Sequence, residues 1–557
     1  MEKRLVLAIV LSFLVLMGYQ YFFVKPNKPV PAAEVRDAPL PAAQVPGVSA
    51  AAQSLREAQP QAAAAPVEPV PAPDTAAVSG RAETEIVVDT PLYRAVWSNQ
   101  GAVLKSWRLK RHTNSAGEEL DLVPALAAEI GRFPFSLGLD DVELAGLLNS
   151  ALFEASEAGL DLAEGATGEI RFVFSDGASV RAEKAFRFAG GSYAVDTEVR
   201  VWQNGQPVTS SVVWGPGISN LTAADLKQSF SASRGSAVRT GGKVLRMNER
   251  KYEDGKNAYN FVDWAAYEEN YFVALFVLPP GKGQAAFLRE PARGAAGEVP
   301  AYFVYATEPR RAFIGPKDSD ALKAFGHEAK RVIHFGTFGS IAEILLVAVK
   351  FFHRLVPNWG LAIILLTIAI KLLFFPLTYS STKSMAKMAE LQPKVKAIRA
   401  KYKKAKTDID QRRQMNEEMM KLYKEQGVNP AGGCLPLLIQ LPVFWGVFRM
   451  LVVAVEFRHA PFALWITDLS TKDPFYVTPI LMGITQFISQ KMTPTSADPA
   501  QAKMMLVMPF VMTIFFINFQ SGLVLYWLTT NVLQIGQQAL MNRMMARHKD
   551  NAHGKRK

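Results

Sequence analysis

A single cysteine, Cys434, stands among 557 residues, so no internal disulfide can form, and one thiol does not make a metal site. Histidine is nearly as scarce: there are seven, and His112 is the only one before His327. The intervening region therefore cannot assemble a pair or triad of histidines. Thr240-Gly241-Gly242-Lys243 and Gly281-Lys282-Gly283 resemble phosphate loops only superficially, because both lack the upstream glycine and the Ser/Thr that should follow the lysine. Asp140, Asp141 and Glu143 could in principle serve a glycosidase-like site, although such acids are ordinarily solvated surface groups. Acids are missing altogether from five apolar runs between residues 358 and 541, where a lysine is present.

What is there comes as three materials joined end to end, in a chain long enough for two or three domains. Residues 1–25 open on Met1-Glu2-Lys3-Arg4 and continue in an apolar run long enough to span a bilayer. That length reads as an uncleaved signal anchor with its N-terminus in the cytoplasm; a cleaved signal is the alternative. Residues 26–80 hold eleven prolines and almost no large apolar side chains, so they predict an extended tether without a core. Residues 81–335 carry the signals of a β domain. In Ser192-Tyr-Ala-Val-Asp-Thr-Glu-Val-Arg-Val-Trp202, Tyr193, Val195, Thr197, Val199 and Val201 share one face. Asp176-Gly177 and Asn204-Gly205 mark hairpin turns. An antiparallel β-sandwich with a binding or scaffolding role follows.

The formal charge of +12 sits mostly in the C-terminal third, beside its apolar runs, which points to a membrane protein with positive cytoplasmic loops. Residues 339–357 predict an interfacial amphipathic helix: Ile341, Ile344, Leu345, Ala348, Phe352 and Leu355 form its apolar side, with Glu343, Lys350 and Arg354 opposite. A core of five spans over 358–541 follows, at about 358–378, 433–455, 474–491, 503–519 and 522–541. Loop 379–430 holds thirteen Lys and Arg, loop 456–473 two, and the tail after Asn542 six. With six spans in all, every basic segment falls in the cytoplasm, both termini are cytoplasmic, and the large domain lies outside. The later spans are short and dotted with Pro479, Gly483, Gln486, Pro509, Asn531 and Gln534. Such helices favour either a locally thinned bilayer or close packing, and composition does not separate the two.

Lys371 lies within an apolar span, where a lysine costs on the order of 3 kcal/mol. With no acid in any of the five runs, it has no internal counter-charge. Thr367, four residues earlier, and Gln440 in the next span could line the same space. A wet, positively charged groove is one reading; snorkelling to the cytoplasmic end is the other. Arg449 fits the snorkelling description at the outer side. Loop 379–430 predicts a cytoplasmic helical hairpin in which charges alternate with methionines, among them Met385, Met388 and Met419 near Lys387. Fifteen of the eighteen methionines follow residue 384; they serve either as core filler or as an adaptable surface for apolar partners. Residues 542–557 form a basic cytoplasmic tail able to touch ribosomal RNA or anionic lipid.

Asn429-Pro-Ala-Gly-Gly-Cys-Leu-Pro-Leu-Leu-Ile-Gln-Leu-Pro-Val-Phe444 resembles the signature of the YidC membrane insertase family. Phe375-Pro376-Leu377, Ser384-Met-Ala-Lys-Met388, Leu391-Gln-Pro-Lys394, Ala460-Pro-Phe-Ala-Leu-Trp-Ile466, Asp468-Leu469 and Ser521-Gly-Leu-Val-Leu-Tyr526 match it in the right order. The resemblance implies an α-helical polytopic membrane protein with a periplasmic β-supersandwich, in the Gram-negative manner. It implies a non-enzymatic insertase and chaperone in the inner membrane, working alone or with the Sec translocon, needing no cofactor, metal or small-molecule substrate. Its partners would be nascent membrane-protein clients, the translocon, the ribosome and lipids. The family's groove cation matches Lys371, where many members carry Arg; Thr367, Gln440 and the pair Tyr526-Trp527 match other groove and client-contact positions, Trp527 standing where many relatives have a second Tyr. Two rivals are a secondary transporter for an acidic solute and an anchored carbohydrate-acting enzyme. The transporter predicts inverted repeats, which the sequence does not display.

Overall fold

The computed structural model describes residues 76–554, apart from 115, 220–233, 249–251, 253–256, 296, 337, 403–407, 429–434 and 494–498. The expected anchor, most of the tether, Cys434 and the first six residues of the 429–444 motif lie outside the described residues.

Residues 85–316 build three sheets. The largest runs, strand beside strand, through Lys243–Asn248, Gly235–Thr240, Val262–Glu268, Phe272–Val277, Arg311–Pro316, Ala194–Gln203, Val180–Ala189, Thr167–Ser175 and Glu154–Ala155. Two five-stranded sheets pack with it around a shared core in which Trp97, Trp107, Trp214 and Trp264 are fully buried. Trp97 stands 4.2 Å from the Phe186 ring and 5.0 Å from Phe135. One ladder departs from the expected antiparallel pattern: Glu85–Asp89 pairs in parallel with Gly159–Asp161, which the two short helices α1 (Ala125–Glu129) and α2 (Val142–Ser150) help to separate in sequence. Both expected hairpins form. Asn204 and Gly205 take φ of 53° and 75°, the doubly positive turn that suits the strand twist, and Asp176 Oδ1 accepts from the amides of Ala178, Ser179 and Val180. In the 192–202 strand Val195, Thr197 and Val201 are buried as expected, but so is Ala194.

Strand Val180–Ala189 alternates, and its inward positions are Val180, Ala182, Lys184, Phe186 and Phe188. Lys184 thus occupies a core position, with no exposed surface. Its ammonium donates to the carbonyls of Gly101 (2.6 Å), Phe135 (2.9 Å) and Ala102 (3.2 Å). Glu269, also buried, accepts from Ser219 Oγ at 3.1 Å. Loss of water pushes its carboxyl up to about 7, against the Ser219 hydrogen bond and the charges of Arg458, Arg234 and Lys317. An unfolded glutamate loses its proton near 4.5, so between that value and about 7 the folded chain holds the extra proton and stability falls as pH rises. Purified full-length protein in detergent is therefore expected to lose several degrees of Tm between pH 5 and 8 that Glu269→Gln does not lose; parallel profiles for the two would refute this.

Beyond α3 (Ser319–Phe325) the chain turns helical: α4 (Gly339–Leu355), α5 (Trp359–Glu390), α6 (Gln392–Lys401), α7 (Ile409–Glu425), α8 (Leu435–Val453), α9 (Val477–Met492), α10 (Pro499–Phe516) and α11 (Ser521–Gly554). Asn358 starts α5: its Oδ1 accepts from the Leu361 amide at 3.0 Å while its Nδ2 donates to Phe462 O at 2.9 Å. Asp473 starts α9 by accepting from Thr478 N and Oγ1. Among the described residues α5 alone is long and apolar enough to cross a bilayer; 439–453 and 505–516 are shorter apolar stretches. Helix α9 has only 16 residues, and Thr530, Asn531, Gln534, Gln537 and Gln538 dilute α11, so length and apolarity alone yield one span there rather than five.

Helix α4 corrects its expected faces. Ala342, Leu345, Leu346 and Val349 are buried, whereas Ile344, Val347, Phe351 and Leu355 point outward as a second apolar stripe. The buried stripe lies on α8, where a Cβ at Gly446 would come within 2.7 Å of Ile341 Cγ2, so a side chain there would force Ile341 to shift. Lys350 is not solvated either: it pairs with Glu456 (2.7 Å), Asp320 (3.0 Å) and Asp318 (3.4 Å). Burial works against its charge, yet these carboxylates outweigh burial and raise its pKa. This clasp joins α3 of the β domain to the loop after α8. Arg449 reaches outward from α8 to the carbonyls of His334 (2.7 Å) and Phe335 (3.0 Å), and Arg458 Nη1 donates to Thr113 O at 2.7 Å.

Candidate functional site

Four of the five expected groove residues meet. Thr367, Lys371, Gln440 and Tyr526 line one small pocket, open at its mouth, together with Ile370, Phe374, Leu377, Thr378 and Thr530. Helix α5 supplies Thr367, Lys371, Phe374 and Thr378 at spacings of three and four, α8 supplies Gln440, and α11 supplies Tyr526 and Thr530. The walls are mostly apolar, with hydroxyls and an amide between. Thr367 is buried and donates to Ile363 O at 2.7 Å, so its hydroxyl proton is committed to its own helix.

Among the described residues Lys371 is without a counter-charge but not without a partner: its Nζ donates to Gln534 Oε1 at 2.9 Å. Gln534 follows Tyr526 and Thr530 at i+8 and i+4 on one face of α11, a spacing readable in the sequence once Tyr526 is chosen. Asn531, on another face, is buried and donates to Met482 O at 3.1 Å, tying α11 to α9. Close packing also explains Gly483, where an added Cβ would overlap Thr513 Oγ1 of α10.

Trp527 is not in the pocket. One residue on from Tyr526, it turns about 100° around the helix and packs on Phe444 (4.9 Å) and Phe516 (5.0 Å). Met385, Lys387 and Met388 stand on the last turns of α5, which runs unbroken to Glu390; the segment expected as the first arm of a hairpin is the end of the spanning helix. The hairpin proper is α6 and α7, bridged by Lys401 and Glu418 at 3.0 Å, and α7, which carries Met419, has no buried residue. Among the described residues no cluster of His, Cys, Asp and Glu could hold a metal ion.

A β-rich domain clasped to apolar helices, one of which is long and apolar enough to cross a bilayer and carries the half-buried Lys371, is the architecture of a membrane-integral protein with a large extramembrane domain. The family model for the 60Kd inner membrane protein matches residues 351–549, and that for the YidC periplasmic domain matches 85–348. The membrane protein insertase YidC of Geobacter metallireducens is 38% identical over 98% of this chain and 99% of its own, and that of Geobacter sulfurreducens is 39% identical over 98% and 99%. A crystal structure of an active YidC insertase with its first transmembrane domain resolved is 21% identical, covering 83% of this chain and 95% of that one at a TM-score of 0.35. The chain belongs to the YidC membrane protein insertase family, a family of inner-membrane proteins whose β-rich domain is periplasmic.

Proposed function

We propose that this chain accepts hydrophobic segments of nascent membrane proteins from the cytoplasm and releases them into the bilayer, without ATP hydrolysis or covalent chemistry. The observation that carries the reading is a lysine in an apolar span, lining a pocket of apolar side chains, hydroxyls and an amide that holds no acid. A client's polar outer segment enters the groove and is drawn by Lys371. Its apolar helix then slides over α9 and α11, past the aromatic cluster at Trp527, and its burial in lipid supplies the driving force.

The proposal includes six spans with both termini cytoplasmic, α4 at the outer interface, and the domain limits 1–25, 26–80, 81–335, 339–357, 358–541 and 542–557. Loop 379–430 and the basic tail would meet the ribosome and anionic lipid, the Met385, Lys387, Met388 and Met419 surfaces would take incoming apolar chain, and the Sec translocon would be a further partner. Charge counts in the loops support that orientation. The β domain serves as scaffold, because its one early histidine and its lack of a phosphate loop leave no visible chemistry.

The test is site-specific photocrosslinking to stalled nascent chains, with the probe at Ile370 or Thr530 in the pocket and at exposed Val532 of α11 as control. Client adducts from both pocket positions, appearing before those from Val532, are expected. Adducts to lipid or to a small metabolite alone would refute the groove.

A further inference from the structure

We propose that Gln534 is the resting ligand of Lys371 and sets which clients the groove admits. The inference rests on the groove reading above and adds a residue that determines specificity. Three kinds of partner could face a cation in this position. A carboxylate would form an ion pair in a poorly solvated site, and separating such a pair strands two charges. An apolar neighbour would leave the ammonium bare among aliphatic side chains, which is costly in the empty state. A carboxamide stands between them: its oxygen satisfies the ammonium through a single hydrogen bond, here 2.9 Å, and carries no net charge to be stranded when the bond opens.

The ammonium's hydrogen bond goes to this amide, although Gln440, Tyr526 and Thr530 line the same pocket. The side chains of Phe374, Ile370 and Leu377 offer no acceptor. Gln534 is half-buried on the same α11 face as Tyr526 and Thr530, and a single hydrogen bond to Lys371 holds its long side chain. A carboxylate on an entering segment outcompetes an amide oxygen for the ammonium, whereas a neutral segment does not. The pair thus acts as a threshold: acidic segments exchange with Gln534, and uncharged ones pass without engaging the cation.

Replacing the amide by an acid installs the internal partner that the helices otherwise lack. The carboxylate introduced by Gln534→Glu is expected to hold Lys371 permanently and to slow insertion of a client with an acidic translocated segment ten-fold or more. The same client with its acids changed to Gln should insert within two-fold of the wild-type rate. Gln534→Leu should leave acidic clients inserting at least as fast as wild type, and should raise their crosslinks from Thr530. Both variants are assayed in the full-length protein in depleted cells, by protease accessibility of the client. A fall in Q534E that is equal for acidic and neutralised clients, or no fall at all while Lys371→Gln is defective, overturns the role of Gln534 and spares the groove. Wild-type behaviour of Lys371→Gln with acidic clients overturns the groove itself.

Discussion

Exchange of Lys371 for glutamine is expected to cut insertion of clients with acidic translocated segments ten-fold or more, while clients with short uncharged segments lose two-fold or less. A hydrogen bond to a charged group contributes about 1.5–3 kcal/mol, and about 1.4 kcal/mol is a factor of ten, so loss of the cation's hold on one carboxylate gives roughly ten- to hundred-fold. Glutamine keeps the length and a donor, which confines the change to charge. Lys371→Arg should restore insertion, since a guanidinium adds a fork that binds carboxylates through two parallel bonds. The measurement is complementation of a depletion strain, followed by pulse labelling and protease digestion of clients that differ only in acidic content. Equal insertion of acidic clients by wild type and K371Q would remove the electrostatic mechanism and leave family membership intact.

The second large effect lies far from the groove. Lys184→Met should destabilise the β domain by about 1–3 kcal/mol, the usual cost of leaving buried acceptors without a donor. Methionine nearly matches the volume and keeps the strand pattern, but it leaves the carbonyls of Gly101, Ala102 and Phe135 without their shared donor. Burial alone pulls the Lys184 pKa down to about 7, and the three carbonyls oppose that pull, because only the ammonium has three N–H bonds to give. Gly101 and Ala102 both hold positive φ, 68° and 47°, so the lysine also pins a turn that an alanine would not otherwise favour. Denaturant unfolding followed by tryptophan fluorescence reports on this directly, since Trp97 stands in the same core. A loss below about 1 kcal/mol would mean that the lysine is incidental.

How much of this is legible in the sequence depends on what kind of interaction fixes each part. Alternation places the 192–202 strand, and paired turn residues place both hairpins, because these are local. The 180–189 strand alternates as clearly, yet its lysine reads as a surface residue until the opposing carbonyls are seen. Lys371, Thr367, Gln440 and Tyr526 are reachable: helical spacing, polar residues in apolar runs and the family motifs all point at them. Motif adjacency groups Trp527 with Tyr526, but neighbours on a helix face different ways. Gln534 reads as one polar residue among several, and its pairing across 163 positions is a tertiary fact that no window of sequence contains. The faces of α4 escape for a similar reason: a helix touching both protein and lipid carries two apolar stripes, and helical periodicity alone does not say which of them meets the protein.

Helix α5 carries Lys371 near its middle and Met385, Met388 and Lys387 at its end, about 21–26 Å further on at 1.5 Å per residue. Between them sits Pro376, which withholds one backbone donor from an otherwise continuous rod. The methionine-bearing end and the half-buried lysine are therefore carried on one helix with a softened joint between them. Under the proposed function, a load on that end would tilt it about the joint, and the groove would register the load through the bending of one helix.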